Sequence, residues 1–401
     1  MSSNLCSLRN GKAFKPSDWS DSGLPIIRIQ NLNNPDSKFN YSGYIEDKFL
    51  ISSGDVLFAW SGTPGTSFGA HIWYGGKAVL NQHIFRIDFK GKVILKSFFR
   101  YSINCRLEEL IAKAHGGAGL QHVTKGVFEN TPIPLPTIDE QQRIVDRIES
   151  LFAKLDEARE KAEAVLDGFE SRKAAILHKA FTGELTAKWR TLKNISLDSW
   201  VSCPLISVLK EKPRNGYSPK PVDYKTSIKS MTLSATTSGF FRSEFFKYID
   251  EEIPDDSHLW LSYGDILIQR ANSIEKVGTS AIYTGCEHEF IYPDLMMKLR
   301  VKSSYSYRYI AYILSTHTVL GYFRANATGT AGNMPKINQQ TVSNTPIVVP
   351  SYDEQNEIVR ILDELLEKER QVKEAAEDVL ERIDLMKKAI LAKAFRGELT
   401  R

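Results

Sequence analysis

From Ile144 the apolar positions run Ile144, Ile148, Leu151, Leu155, Ala158, Ala162, Val165 and Phe169, spaced alternately by four and three. The same rhythm returns at Ile358, Leu362, Leu365, Glu369, Val372, Ala376, Val379, Ile383, Met386 and Ile390, with Glu369 as one polar interruption. This is a heptad seam, the pattern by which two helices bury a narrow stripe against each other. Each run follows a proline-rich stretch (Pro132, Pro134, Pro136; Pro346, Pro350) and starts at Thr137 or Ser351, with Glu140 or Glu354 three residues on, a capping-box spacing. Each stops near a glycine, Gly183 or Gly397. The pattern predicts two rods of about 45 residues, roughly 60–70 Å long at the α-helical rise. A long amphipathic helix cannot hide its stripe alone, so the two are expected to pack on each other, antiparallel.

Ahead of each rod the apolar runs shorten and turns multiply. Leu24–Ile29, Asp55–Trp60, Ala78–Leu80 and Ile84–Asp88 read as strands, and Lys96–Lys113 as helix. Downstream, Gly264–Gln269 answers Gly54–Ala59, and Tyr307–Phe323 is the matching helix. The correspondence is literal around the rods. Asn130-Thr-Pro-Ile-Pro-Leu-Pro-Thr-Ile-Asp-Glu-Gln141 returns as Asn344-Thr-Pro-Ile-Val-Val-Pro-Ser-Tyr-Asp-Glu-Gln355, and Lys179-Ala-Phe-Thr-Gly-Glu-Leu-Thr186 as Lys393-Ala-Phe-Arg-Gly-Glu-Leu-Thr400. The offset is 214 in both places (344 against 130, 393 against 179). Two copies at so long a period make a duplicated module, not a solenoid. The expected fold is α+β, with two mixed α/β globular units separated by two long helices packed as an antiparallel coiled coil, an internal pseudo-twofold duplication. Its boundaries fall at 1–134, 135–187, 188–348 and 349–401.

Charge divides along the same lines. Residues 1–137 carry 15 Lys+Arg against 10 Asp+Glu, residues 188–350 carry 19 against 14, and the remainder, mostly rods, 18 against 24. Two basic heads on acidic helices point to a polyanion held by the heads. No apolar run is long enough to span a membrane, and the start lacks a signal peptide, so a cytoplasmic protein is expected. Cys6, Cys105, Cys203 and Cys286 form no C-x-x-C pair and read as reduced thiols.

Catalytic patterns are sought and not found. There is no phosphate-binding P-loop, and Gly116–Gly119 reads as a flexible loop, not a cofactor cradle. Asn130-Thr-Pro-Ile and Asn344-Thr-Pro-Ile lack the second proline and aromatic of an adenine-methyltransferase motif and read as hinges. Pro35-Asp36 with Glu46-Asp47-Lys48 matches a metal-nuclease pattern only loosely; Asn33–Asp36 is a turn by composition. His71, His83 and His115 read as polar loop or strand residues. Neither cofactor nor metal is expected, and the chain reads as a binding protein.

What remains suits nucleic acid. Lys12, Phe14, Lys15 and Trp19 mix cations with aromatics, as do Tyr217 and Lys220 in the second unit. Lys12, Lys15, Lys125, Lys220 and Lys336 are expected on phosphates, with Gln30, Gln82, Gln269 and Arg270 nearer the bases. Arg28, Asn31, Arg214, Asn272, Asn338 and Gln339 complete the expected DNA-binding set.

The chain resembles the specificity subunit of type I restriction-modification systems. The resemblance rests on Gly11-Lys-Ala-Phe-Lys with Ile27–Leu32, Gly54-Asp-Val-Leu-Phe, Gly264-Asp-Ile-Leu, Gly329–Ile337, the Pro-x-x-Asp-Glu-Gln entries and the Lys-Ala-Phe-x-Gly-Glu-Leu-Thr exits. It covers nearly the whole chain. It implies two target-recognition domains reading the halves of a bipartite DNA sequence, with the helices as a ruler. It also implies two methyltransferase subunits carrying the chemistry, and two restriction/translocase subunits in the full complex, the chain itself being non-catalytic. Val145, Phe152, Leu166, Leu177, Val359 and Leu366, on the outer faces of the rods, are expected to receive such partners. One departure concerns the opening of the first unit. The second opens with Trp189-Arg and Ser199-Trp200-Val ahead of Leu205–Leu209, the first with only Met1–Leu8 before Asn10-Gly11. The alternatives are a self-contained DNA-processing enzyme and a coiled-coil adaptor that does not touch DNA.

Overall fold

Four consecutive apolar residues, Val56–Ala59, are buried on both faces and form the middle of a sheet, as a continuous β-branched and aromatic run should. The computed structural model describes residues 5–34, 37, 39–43, 46–62, 68–113, 121–329 and 334–399. They belong to two units, Met1–Glu163 with Ala376–Arg401, and Ala164–Ala375.

Unit 1 runs β1 (Cys6–Asn10), β2 (Leu24–Ile27), α1 (Ile29–Asn33), β3 (Asn40–Ser42), β4 (Leu50–Ile51), β5 (Val56–Ala59), β6 (Ser61–Gly62), β7 (Gly69–Ile72), β8 (Ala78–Leu80) and β9 (Ile84–Phe89). Then come α2 (Lys96–Cys105), α3 (Leu107–Ala112), β10 (Gln121–His122), α4 (Lys125–Glu129) and α5 (Ile138–Asp167). Its two four-stranded sheets have the orders β1-β9-β5-β7 and β3-β2-β8-β4, with β10 paired to β6. Phe58, Phe98, Phe99 and Phe128 centre the core, joined by Ile144, Val145 and Ile148 from α5.

Unit 2 continues with α6 (Phe169–Phe181), α7 (Ala187–Lys193), β11 (Val201–Pro204), β12 (Arg214–Asn215), β13 (Pro221–Val222), β14 (Ile228–Met231), β15 (Phe246–Ile249), β16 (Ile266–Gln269), β17 (Ser280–Ile282), β18 (Phe290–Ile291) and β19 (Met296–Leu299). It ends with α8 (Tyr307–Leu314), α9 (His317–Ala325), α10 (Gln339–Ser343), β20 (Pro346–Val349) and α11 (Tyr352–Phe395), the last turns of which belong to unit 1. Its sheet β12-β19-β16-β17 repeats β1-β9-β5-β7, and in β13-β15-β14-β18 the run β15-β14-β18 repeats β3-β2-β8, with β13 added at one edge where unit 1 adds β4 at the other; β11 pairs with β20.

Three expected elements are shorter than their patterns. The first strand stops at Ile27, because Asn31 Oδ1 accepts from Arg28 N at 3.0 Å and starts α1. Lys96–Lys113 divides at Arg106. Tyr307–Phe323 divides where Thr316 Oγ1 accepts from Val319 N and caps α9.

The rods are helical as expected, the first broken at Gly168 into α5 and α6, the second a single helix of 44 residues. Their exits are the glycines, with φ of +81° at Gly183 and +74° at Gly397. Within unit 1, Arg159 pairs with Asp384 and Asp156 with Lys387; within unit 2, Arg172 pairs with Glu369 at 2.8 Å. Partner numbers fall as the first rod's rise, so in each unit the helices are antiparallel. Past Glu369 the second seam differs from the expected one. Val372, Val379 and Met386 are exposed, while Lys373, Leu380 and Lys387 turn inward. The lysine stems lie over aromatic rings, Lys373 Nζ 5.1 Å from the Phe169 centroid and Lys387 Nζ 5.3 Å from that of Phe152.

The repeated Asp-Glu-Gln entry has a structural use in both copies. Gln141 Oε1 accepts from Leu95 N at 2.8 Å while its Nε2 donates to Val93 O and Pro136 O, at 3.0 and 2.9 Å. Gln355 Oε1 accepts from Ser306 N at 2.8 Å and its Nε2 donates to Pro350 O at 2.9 Å. One buried amide thus ties the start of each rod to the N-terminus of α2 or α8, satisfying a helix-end donor that packing would leave dry. The expected capping box forms by halves. Thr137 and Ser351 accept from Glu140 N and Glu354 N, but the Glu354 carboxylate turns away into the interior.

Candidate nucleic-acid interface

In each unit the two sheets meet at one glycine. A Cβ on Gly11 would lie 2.2 Å from Asn81 O and 2.3 Å from Leu80 O; on Gly216 it would lie 2.2 Å from Tyr292 O and 2.3 Å from Pro293 O. Backbone therefore approaches backbone, and only glycine fits. Next to it, Lys12 N donates to Leu80 O at 2.8 Å, and Tyr217 N to Tyr292 O at 2.9 Å. The central strands end at the same place. Trp60 N donates to His83 O and Val123 N to Trp60 O; correspondingly, Arg270 N donates to Leu295 O and Ile337 N to Arg270 O. These bonds set Trp60 against Arg270, His83 against Leu295, His122 against Lys336 and Lys12 against Tyr217 as equivalent positions. Thr124 and Asn338 cap the following helices, which places Lys125 and Gln339 at equivalent first turns.

This junction gathers much of the expected set. In unit 1 it holds Lys12, Arg28, Gln82 and Lys125, where Gln82 N donates to Lys12 O and Asn81 N to Ile27 O. In unit 2 it holds Tyr217, Arg270, Asn272, Lys336, Asn338 and Gln339, with Asn272 N on Pro335 O and Lys336 bridged to Ala271 and Thr328. Lys15, Gln30, Arg214 and Lys220 are exposed, and Arg214 is engaged by Glu211 at 3.0 Å.

Two amides cannot read bases as placed. Gln269 is fully buried, its Nε2 donating to Leu233 O, Thr236 Oγ1 and Thr237 Oγ1 while Oε1 accepts from Asn272 Nδ2. Asn31 is 5% exposed and spent on Arg28 N and Ser37 O. Both position their neighbours. Asn338 spends its Oδ1 on capping α10.

The surfaces expected on the rods need a larger correction. Val145, Leu177 and Val359 are buried in the cores of their own units. Phe152 lies edge-on to Tyr101, ring centroids 5.8 Å apart. A helix face that looks spare on the heptad wheel is taken up by the recognition unit. Leu166 and Leu366 are half-buried, and the more open apolar positions are Val372, Val379, Leu385 and Met386.

The junction also holds residues absent from the expected set. Trp60 packs against His83, His122 and Phe85, ring centroids 5.5 to 5.6 Å apart, and Gln82 Nε2 lies 3.1 Å from His83 Nε2. Burial pushes the His83 imidazole below its usual pKa, and nearby His122 adds to the shift. Among the described residues, Arg28 Nε, Trp60 Nε1, His83 Nδ1, His122 Nδ1, Asn215 Oδ1 and Arg270 Nε are buried without a hydrogen-bond partner. His71 Nε2, Arg86 Nε and Ser102 Oγ are also unpaired but lie away from the junctions; buried polar atoms are nearly always paired, so it is the gathering of six at the junctions that makes these a candidate place for a polar ligand. Aligning Gly54–Trp60 with Gly264–Arg270 would have exposed Trp60 as the counterpart of Arg270; the histidines carry no such signal.

Of the glycine-rich stretches ahead of Lys125 and Lys336, Gly116–Gly119 and half of Gly329–Lys336 lie outside the described residues, as do His115 and Asp36. Glu46 and Lys48 pair with each other. No group of three His, Cys, Asp or Glu side chains able to hold a metal ion occurs among the described residues, and no helix there is long and apolar enough to cross a membrane.

Comparison with known proteins agrees with this duplication. The family model described as "Type I restriction modification DNA specificity domain" matches twice, over residues 3–165 and 217–382. The EcoKI specificity subunit of Escherichia coli (strain K12) is 25% identical over 397 residues, covering 95% of this chain and 83% of the relative. The StySPI specificity subunit of Salmonella potsdam is 24% identical over 401 residues, with the same two coverages of 95% and 83%. Among solved structures, one from a study of complex assembly and conformational transition of the type I R-M system superposes with a TM-score of 0.73 at 19% identity, over 98% of each chain. The HsdS subunit from Thermoanaerobacter tengcongensis gives 0.60 at 18%, covering 99% of this chain and 95% of that one. These likenesses carry the fold. With the family model matched in both halves, the chain belongs to the type I restriction-modification DNA specificity family, the proteins that recognise the DNA target.

Proposed function

We propose that the chain is the non-catalytic reader of a cytoplasmic type I restriction-modification complex, each unit recognising one half of a bipartite duplex DNA target. The observation that carries this is the junction built twice: one backbone scaffold, two different sets of polar and cationic side chains. Lys12, Lys15, Arg28 and Lys125 in unit 1, and Arg214, Lys220 and Lys336 in unit 2, hold phosphates. Gln30, Gln82 and the Trp60, His83, His122 cluster face the first half-site; Tyr217, Arg270, Asn272 and Gln339 face the second. The recognition domains are 1–134 and 188–348, and the helical regions 135–187 and 349–401 set the spacer between half-sites. Two methyltransferase subunits dock on the helices, for which Val372, Val379 and Met386 leave an apolar stripe, and two restriction/translocase subunits complete the complex.

Exchanging residues 188–348 for the equivalent unit of a relative should change one half of the methylated sequence, read by methylome sequencing; a change in both halves, or neither, defeats the assignment. Arg270→Ala should cost about 1–3 kcal/mol on the cognate site and relax only the second half. Lys336→Ala should weaken all sequences alike and reduce the salt slope by about one. Deleting one heptad from each helical region shortens the rods by about 10 Å, roughly three base pairs of rise, so the spacer should shorten to match.

A further inference from the structure

The loop that joins β14 to β15 is closed rung by rung. Thr232 N donates to Phe245 O at 3.1 Å, Arg242 N to Ala235 O at 2.9 Å and Gly239 N to Thr236 O at 3.0 Å. The buried amide of Gln269 holds the same loop, its Nε2 2.9 Å from Thr236 Oγ1 and 3.0 Å from Thr237 Oγ1, while Thr237 Oγ1 donates to Leu233 O at 2.8 Å. Phe241 sinks into the core, its ring centroid 4.9 Å from that of Tyr283 and 5.6 Å from that of Phe290. Between these anchors Phe240 stands 71% exposed, the most exposed aromatic side chain of unit 2 among the described residues.

Single exposed apolar side chains are ordinary, but this one is held out. The exposed Tyr217 and Tyr224 of the same unit engage their hydroxyls with Glu251 and Asp250. Phe240 has no polar handle, and a loop tied at so many points cannot fold its ring away from water. Its place indicates the partner. Phe240 is three residues from Thr237, at most about 11 Å of chain. Gln269, which holds Thr237, also accepts from Asn272 Nδ2 at 2.6 Å and directly precedes Arg270. Asn272 N donates to Pro335 O, and on these two segments Ile274 and Met334 are exposed as well. The ring therefore stands beside the unit 2 junction, among other apolar groups. From Thr232 to Ser243 there is no acidic side chain, so this stretch of the loop carries nothing to repel a phosphate backbone.

We propose that Phe240 is a wedge: with unit 2 on its half-site, the ring inserts between two neighbouring base pairs beside those faced by Arg270 and Asn272, unstacking that step and bending the duplex there. The inference rests on the reading of unit 2 as a DNA-recognition domain. The faces of stacked bases are the apolar surface of a polyanion, and an aromatic ring gains there the burial that water denies it. A turn fixed in advance keeps the ordering cost of insertion low. The wedge reads no donor or acceptor. It favours steps that unstack easily, pyrimidine–purine steps before others, and so adds a preference where no hydrogen-bonding side chain touches a base.

The test uses the methylating complex that contains the chain, and a duplex carrying the sequence it methylates in cells. Fluorescent base analogues, 2-aminopurine for adenine and pyrrolocytosine for cytosine, replace the bases in and beside the second half-site one at a time. On binding, fluorescence should rise at one step. Phe240→Ala should abolish that rise at saturating protein and weaken binding roughly tenfold, and Phe240→Leu should keep part of both. The thermal melts of the two variants should match the parent, because the ring is exposed. Arg270→Ala should weaken binding yet keep the rise at saturation. A complex that binds this duplex no better than a scrambled one overturns the recognition reading and the wedge with it. Specific binding that Phe240→Ala leaves unaltered, in affinity and fluorescence alike, overturns the wedge alone. A loss of affinity with no rise at any step does the same, since it leaves the ring outside the stack. Self-association lost in Phe240→Ala with DNA binding intact would give the ring to a second copy of the chain, and overturns it equally.

Discussion

Units 1 and 2 share a scaffold and differ at the junction, at the edges of the second sheet and at the last strand edge. Where they agree, the common residue serves the backbone. Gly11 and Gly216 let two sheets touch, and Gln141 and Gln355 tie a rod to a helix start. Where they differ at the junction, Trp60 stands for Arg270, His83 for Leu295 and His122 for Lys336, positions where the strand ends are held by backbone hydrogen bonds that any of these residues can make. A duplicated protein can vary only what its scaffold does not need, so the difference between copies separates recognition from architecture. The edge differs in another way: among the described residues, 346–349 is paired with β11 and 132–135 is not paired with a strand.

The edge comparison gives the largest expected effect. Arg190→Ala leaves the Glu354 carboxylate buried without its cation and should destabilise unit 2 by about 3–5 kcal/mol. Glu140→Ala, at the counterpart whose carboxylate has no side-chain partner among the described residues, should cost under about 0.5 kcal/mol. Urea unfolding with hydrogen exchange resolved by unit measures both, and equal losses would mean that the two edges are equally sealed. Next come the glutamines. Gln141→Ala and Gln355→Ala each strand a buried backbone N–H and should cost about 1–3 kcal/mol, each in its own unit. If one proved neutral, the tie would be structural in one copy only.

The smallest effect is electrostatic and separates the junctions. Burial, with His122 adding to it, holds the His83 imidazole below the ordinary histidine pKa. A polyanion favours its protonated form, so DNA binding takes up a proton and affinity should rise as pH falls below the ordinary histidine value of about 6.5. The sign reverses for stability. A histidine with a depressed folded pKa contributes stability above its unfolded pKa that is lost as pH falls below it. His83→Leu, which installs the unit 2 residue, should flatten the pH dependence of binding. Binding measured at constant ionic strength from pH 7.5 to 5.5 decides this. A slope unchanged by the substitution would remove His83 from the interface.

The sequence by itself determined the duplication, the helical rods, their capped starts and glycine ends, and the paired strand runs. These follow from period, proline, glycine and cap residues, which act over a few neighbours. It also offered Lys12, Arg270 and Lys336 as candidates, because cations beside a repeated motif are visible in one dimension. Only the tertiary structure decided which faces were spent. Val145, Leu177 and Val359 look spare on a heptad wheel, yet the recognition units cover them. Lys373 and Lys387 displace Val372 and Met386 from the inner seam because their stems lie over Phe169 and Phe152, rings contributed from the other rod. Gln269 has the chemistry of a base reader, but a strand interior and two threonines from another segment consume its amide. Trp60, His83 and His122 come from three separate segments, and only the ladder from Leu80 through Val123 brings their unpaired nitrogens together. Local pattern fixes which way a chain bends and what it can bury; long-range packing decides which of its polar groups remain free to bind anything else.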